Sequence, residues 1–110
     1  MTPDAVIRII DVNLNRASEG LRVLEELTRF VLNDAGLSQR LKDVRHELVA
    51  GDLDYNKELL LARDAAGDVG ASLTAPEQQK AKELSPLAVA NARRVQEALR
   101  VLEEMAKVKD

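Results

Sequence analysis

Two stretches near opposite ends of the chain carry polar side chains at matching offsets. They read Asn13-x-x-Arg16-x-x-Glu19-x-Leu21-Arg22-Val23-Leu24-Glu25-Glu26 and Asn91-x-x-Arg94-x-x-Glu97-x-Leu99-Arg100-Val101-Leu102-Glu103-Glu104, with nine of fourteen positions identical. Apolar agreement alone would say little, since any packed helix needs it. An Asn, two Arg and three Glu in register point instead to a duplicated functional face. Each residue type brings its own chemistry. The Arg fork grips phosphate or carboxylate at two points, as Lys does not. An Asn amide sets a donor beside an acceptor and so suits the edge of a heteroaromatic ring. The competing reading of the charges is ion pairing along a helix surface, for which Glu25 and Arg29, and Glu103 and Lys107, are correctly spaced.

Further candidates lie between the copies. Arg45-His46 falls near the end of a helical stretch, where a lone His is more often packed or solvated than catalytic. Arg63-Asp64, followed by Gly67-Asp68-Val69-Gly70, could form a loop whose amides and Arg63 face anions while Asp64 and Asp68 hold Mg²⁺ through oxygen. It is no P-loop, because the Gly-Lys-Ser/Thr ending is absent.

The elements that must position these residues are helical. The first helix is expected to begin near Asp4, just after Pro3, and to run to about Leu32. Val6, Ile9, Ile10, Ala17, Leu21, Leu24, Leu27, Thr28 and Val31 share one side of it. Asn33-Asp34-Ala35-Gly36 reads as its stop, with Gly36 suited to the left-handed closing position. Ser38 is the expected cap of a second, medium helix with the stripe Leu37, Leu41, Val44 and Leu48, ended by Gly51-Asp52. Residues 55–64 suit a short helix, and Pro76 and Pro86 bracket a polar stretch that reads as a candidate lid. Ser85-Pro86 opens the last helix, which carries the second copy to about Val108. No strand alternation appears. The expected fold is a single all-α domain over residues 1–110: a small bundle of two long helices bearing the repeat, one medium helix and one short one.

Steps of about 100° place Asn13 within about 30° of the centre of the apolar stripe, with Arg16 and Glu19 stepping down one flank. Gly20 lies above Asn13 and Arg16 and leaves space, while Arg22 and Glu25 project toward the far side. Asn91, Arg94, Glu97 and the small Ala98 repeat the arrangement. A buried Asn costs roughly 1–3 kcal/mol unless its amide is satisfied. Either the two Asn bond each other across a helix pair and fix register, or they face a ligand whose anionic end meets Arg16 and Arg94. Antiparallel packing of the two long helices would bring both sets into one cleft.

Composition narrows the classes. In 110 residues there is room for one modest core. Hydrophobic residues make up 45% and aromatics only 2%, which favours helices packed on helices over disorder. With no Cys and one His, thiolate and His-rich metal centres are excluded. The net charge of −3 argues against nucleic-acid binding, even though ten of the sixteen basic residues are Arg. The start Met-Thr-Pro-Asp lacks a signal-peptide pattern and no segment approaches spanning length, so a soluble cytoplasmic protein without membrane contact is expected.

Taken together, the motifs resemble a known family. The run Arg8-Ile-Ile-Asp11-x-Asn13-x-Asn15-Arg16-x-x-Glu19-Gly20-Leu21-Arg22-Val23-x-Glu25-x-x-Arg29-Phe30 is similar to the small hydroxymethylpyrimidine-phosphate kinases of thiamine biosynthesis. Arg45-His46, Ala62-Arg63-Asp64, Gly67-Asp68-Val69-Gly70 and the second repeat copy resemble that family's remaining blocks, in order, so the likeness spans residues 7–107. The chain departs from the pattern at Ala71, where a hydroxyl residue is expected; Ser72 is the nearest substitute. The family occurs alone or fused ahead of a thiamine-phosphate synthase.

The resemblance implies transfer of the γ-phosphoryl of ATP, with Mg²⁺, onto 4-amino-2-methyl-5-hydroxymethylpyrimidine phosphate. It puts Arg16, Arg94, Arg45 and Arg63 on phosphates and makes Glu19, Glu97, Asp64 and Asp68 compete for the metal. Asn13 or Asn91 then reads the aminopyrimidine, with His46, Gly67 and Gly70 at the substrate. It also raises a thiamine-phosphate synthase as an expected partner, and a bundle this small with so much Leu and Ala is a candidate to form a homodimer with a shared site. The alternatives are a non-catalytic module that binds pyrimidine phosphates or docks on such a synthase, and a self-associating bundle with no ligand. Thiamine-phosphate synthesis by the chain itself is not expected, because that activity belongs to a barrel of about 250 residues.

Overall fold

A computed structural model describes residues 1–50 and 85–109. Three long elements follow in order: α1 (Pro3–Glu26), continued by a π-helical turn at Leu27–Val31, α2 (Ala35–Ala50) and α3 (Ser85–Lys109). Among the described residues there is no strand, and the all-α bundle is as expected. The expected short helix at 55–64, the end of α2 at Gly51-Asp52 and the stretch between Pro76 and Pro86 lie outside the described residues.

Thr2 caps α1 by accepting from the Ala5 amide at 3.2 Å, with Pro3 inside the first turn and Asp4 facing the positive helix end. At the far end the helix widens. Leu32 N–H reaches back five residues to the Leu27 carbonyl, and Asp34 N–H reaches six back to Thr28. The stop differs from expectation in two details. Asn33, at φ 58°, takes the left-handed position assigned to Gly36, which lies inside α2. Asp34, whose Oδ1 accepts from Leu37 N–H at 3.0 Å, caps α2 in place of Ser38. Asn tolerates the left-handed region because its short amide makes local bonds, so the chain turns three residues earlier than glycine spacing indicates.

Both α2 and α3 pack on α1. Leu21, Leu24, Leu41, Val95, Leu99 and Leu102 are fully buried, and Ile10, Leu14, Leu27, Leu32, Leu37 and Val44 pack around them. Each buried Leu contributes roughly 1.5–3 kcal/mol through removal of apolar surface from water. Helices α1 and α3 run antiparallel. Gly20 meets Asn91 and Val95 at one level, while Asn13 shares a cleft with Ala98 and Val101 at another. An ideal Cβ at Gly20 would stand 2.6 Å from Val95 Cγ2 and 3.3 Å from the Asn91 carbonyl oxygen. The space expected above Asn13 is therefore filled by α3, and this close approach is what brings the repeat copies together.

Candidate functional site

A cleft of about 540 Å³ opens where the two copies meet. The first supplies Asn13, Arg16 and Glu19, and the second supplies Arg94, Glu97 and Ala98, with Val101 closing one end. The copies are offset by 78 residues, so antiparallel packing relates Arg16 and Glu19 to Arg94 and Glu97 by an approximate twofold axis through the cleft. All four charged side chains are exposed, whereas Asn13 is only 5% exposed. The volume lies within the roughly 300–1,000 Å³ usual for small-molecule sites. The cleft joins two guanidinium groups that can hold anions and two carboxylates that can hold a hard cation.

The two Asn do not bond each other. Asn13 Nδ2 donates to the Ile9 carbonyl at 2.8 Å, and Asn91 Nδ2 donates to the Leu87 carbonyl at 2.9 Å. Both bonds run one turn back on the same helix. That leaves two buried Oδ1 atoms without a hydrogen-bond partner among the described residues. The register-fixing pair is thus replaced by two amides, each anchored through Nδ2 and each with a buried, unpartnered Oδ1. Such an atom is costly to bury. Asn91, equally buried, lies beside Gly20 beyond the edge of the cleft.

Other expected site residues are elsewhere. Arg45 sits in a second cleft of about 330 Å³ between α1 and α2, where its Nε and Nη2 donate to the two Glu25 carboxylate oxygens at 2.5 and 3.0 Å. Both side chains are largely buried, and the bond to Glu25 holds the Arg45 guanidinium more firmly charged than usual. Arg22, Arg29 and Lys42 line the same cleft. His46 is exposed on α2 and lines neither cleft. Arg63, Asp64, Gly67, Asp68 and Gly70 lie outside the described residues.

The expected surface pairs are also rearranged. Glu25 takes Arg45, while Arg29 stacks over Phe30 at 5.2 Å. Lys107 pairs with Glu104 at 3.3 Å, and Arg100 reaches both Glu103 and Glu104. The Glu25–Arg45 contact spans α1 and α2, so helix spacing gave no sign of it. Its only signal was that both residues fall in polar motifs. Among the described residues no group of three or more carboxylate or imidazole side chains gathers to hold a metal, and no helix is long and apolar enough to cross a membrane.

Comparison with known proteins places these observations. A sequence model described as the ThiD2 family matches residues 8–110. A thiamine-phosphate synthase of Rhodopirellula baltica is 46% identical over 106 residues, covering 96% of this chain and 28% of that protein. Thiamine-phosphate synthases of Nostoc punctiforme and Synechocystis are 47% and 44% identical, over 94% and 99% of this chain and 28% and 31% of their own lengths. The chain therefore spans less than a third of the curated relatives it matches. No solved structure matches.

Proposed function

Since the chain belongs to the ThiD2 family, a helical domain tied to thiamine biosynthesis through relatives named thiamine-phosphate synthase, we propose that it phosphorylates hydroxymethylpyrimidine phosphate to the diphosphate with Mg-ATP. The observation that carries this reading is the convergence of Arg16 and Arg94, one from each repeat copy, beside the unpartnered Oδ1 of Asn13. An amide with a free acceptor oxygen matches the exocyclic amine of an aminopyrimidine, and paired guanidinium groups match its phosphate.

The chemistry asks little more of the protein. A non-bridging oxygen of the acceptor's phosphate attacks the γ-phosphorus of ATP, the bond to the β,γ-bridging oxygen breaks, and ADP leaves with that electron pair. With a second pKa of about 6, the acceptor is already ionised at neutral pH, so no general base is required. Catalysis then rests on holding two anions in line and neutralising the charge between them. Arg16 and Arg94 do this from opposite helices. Glu19 and Glu97 fit Mg²⁺, which is commonly bound by one or two carboxylates plus substrate phosphates, and Asp64 and Asp68 remain further candidates. When bound, the metal supplies charge neutralisation on the phosphate oxygens. Without an acceptor phosphate the Arg pair lacks its partner, so the unphosphorylated alcohol is a poor substrate.

In this reading, the shared region is a unit distinct from the part of those relatives that gives them their name. Self-association into a homodimer and docking on a thiamine-phosphate synthase belong to the same proposal. The test is whether Mg-ATP and the pyrimidine phosphate together yield equal amounts of ADP and pyrimidine diphosphate. Tight pyrimidine-phosphate binding without either product would replace the kinase with a binding module.

A further inference from the structure

Arg22, Glu25, Arg29, Phe30 and Arg45 stand out in the sequence, yet none faces the cleft assigned to phosphoryl transfer. They converge instead on the second cleft, between α1 and α2. Comparing the two repeat copies shows what is unusual there. In the second copy Arg100 pairs with Glu103 and Glu104 of its own helix. In the first copy the counterpart of Glu103 is Glu25, which Arg45 takes from α2 with a two-point grip. Arg22, the counterpart of Arg100, makes no ion pair among the described residues, even though Glu26, the counterpart of Glu104, stands four residues on. Lys42 is likewise unpaired there, and both face the same cleft.

The cleft holds four cationic side chains against two carboxylates, on a chain whose net charge is −3. One of those carboxylates, Glu25, is already neutralised by Arg45. The π-helical turn sets Phe30 at the rim, where it is 73% exposed with Arg29 stacked over it. This is the only Phe in the protein, and leaving so much apolar ring in water has a cost that a stacked ligand would remove. Free cations around an exposed ring suit an anion that also carries a planar ring.

We propose that the α1–α2 cleft is a second binding site, for a ring-bearing polyphosphate ester, with Arg22 and Lys42 on the phosphates and Phe30 under the ring. Arg45 is a positioning residue: by holding Glu25 it removes one of the two carboxylates spaced to pair with Arg22. The site is distinct from the first cleft and does not depend on the kinase reading, because it is defined by binding without turnover.

Phe30→Trp tests it, since it creates the sole Trp of the chain at an exposed position. ATP titrated into this variant, in the absence of the pyrimidine phosphate, is expected to change the Trp emission saturably. Inorganic tripolyphosphate is expected to compete without the same spectral change. The pyrimidine diphosphate, run as a third arm, shows by its relative affinity whether nucleotide or product is the better ligand. Adding Arg22→Ala and Lys42→Ala should each weaken ATP about tenfold, the loss of one charge-assisted contact. Adding Arg16→Ala should leave the Trp response intact. An unresponsive Trp, unchanged affinity in both cation variants, or loss of the response with Arg16→Ala alone would overturn the proposal. Because Arg22, Phe30 and Lys42 are all exposed, the variants are expected to fold, which unchanged thermal melts would verify.

Discussion

Gly20 and Val95 are in direct contact across the α1–α3 interface, so close that a methyl group at Gly20 would fall 2.6 Å from Val95 Cγ2. Val95 is fully buried and β-branched, so it cannot swing aside cheaply. Gly20 is therefore the point at which the backbone of one repeat copy admits the other. Gly20→Ala should destabilise the fold by about 1–2 kcal/mol, because overpacking outweighs the gain of about 1 kcal/mol in helix propensity. Val95→Ala in the same chain should recover part of that loss. Denaturant melts of the two single variants and the double variant measure the coupling.

Glu25 and Arg45 make a long-range polar contact that ties α2 to α1. Removing either leaves a largely buried charge, so Glu25→Ala or Arg45→Ala should cost about 2–3 kcal/mol. The double variant should cost less than the sum. Arg45→Lys should not restore the wild-type value, because an ammonium cannot span both carboxylate oxygens. Chemical denaturation of this series checks all three expectations.

The two anchored Asn residues separate a structural role from a binding one. Asn13→Leu removes a buried acceptor with no partner, so stability should hold or rise by up to about 1 kcal/mol. Its kcat/KM should fall about tenfold to a hundredfold if the Oδ1 accepts from the pyrimidine amine. A register-fixing Asn would behave oppositely, with stability lost first. Thermal melts and initial rates on one preparation decide between them.

Arg16 and Arg94 should show the complementary pattern. Both are exposed, so replacement by Ala should change stability by no more than about 0.5 kcal/mol. Under the proposed function, turnover should drop by about a hundredfold or more for each, the cost of losing a cation that holds phosphate in the transition state. Parallel losses in melting temperature and rate would instead mark the pair as structural.

Periodicity was enough to place the three helices of the described residues, their buried stripes and the repeat face, because these depend on local spacing. It was not enough where several polar residues could meet the same local need. Asn33 and Asp34 rather than Gly36 and Ser38 close α1 and open α2, since both pairs satisfy the same capping requirement. The π-helical turn at Leu27–Val31 carries no compositional mark. Partner choice for Glu25 was hidden because Arg29 is in reach along the helix and Arg45 only through the fold. Asn13 was visible as a polar residue in an apolar stripe. That its Nδ2 binds the Ile9 carbonyl and leaves Oδ1 alone is a matter of rotamer, which sequence spacing does not encode.

The most direct measurement incubates the folded protein with Mg-ATP and either hydroxymethylpyrimidine phosphate or the free alcohol, side by side, and quantifies phosphorylated products and ADP. The account predicts pyrimidine diphosphate from the phosphate, with ADP in equal amount, and little or no phosphorylation of the alcohol. Equal use of the alcohol would contradict the Arg-gated acceptor site, and absence of product from either would contradict the kinase itself.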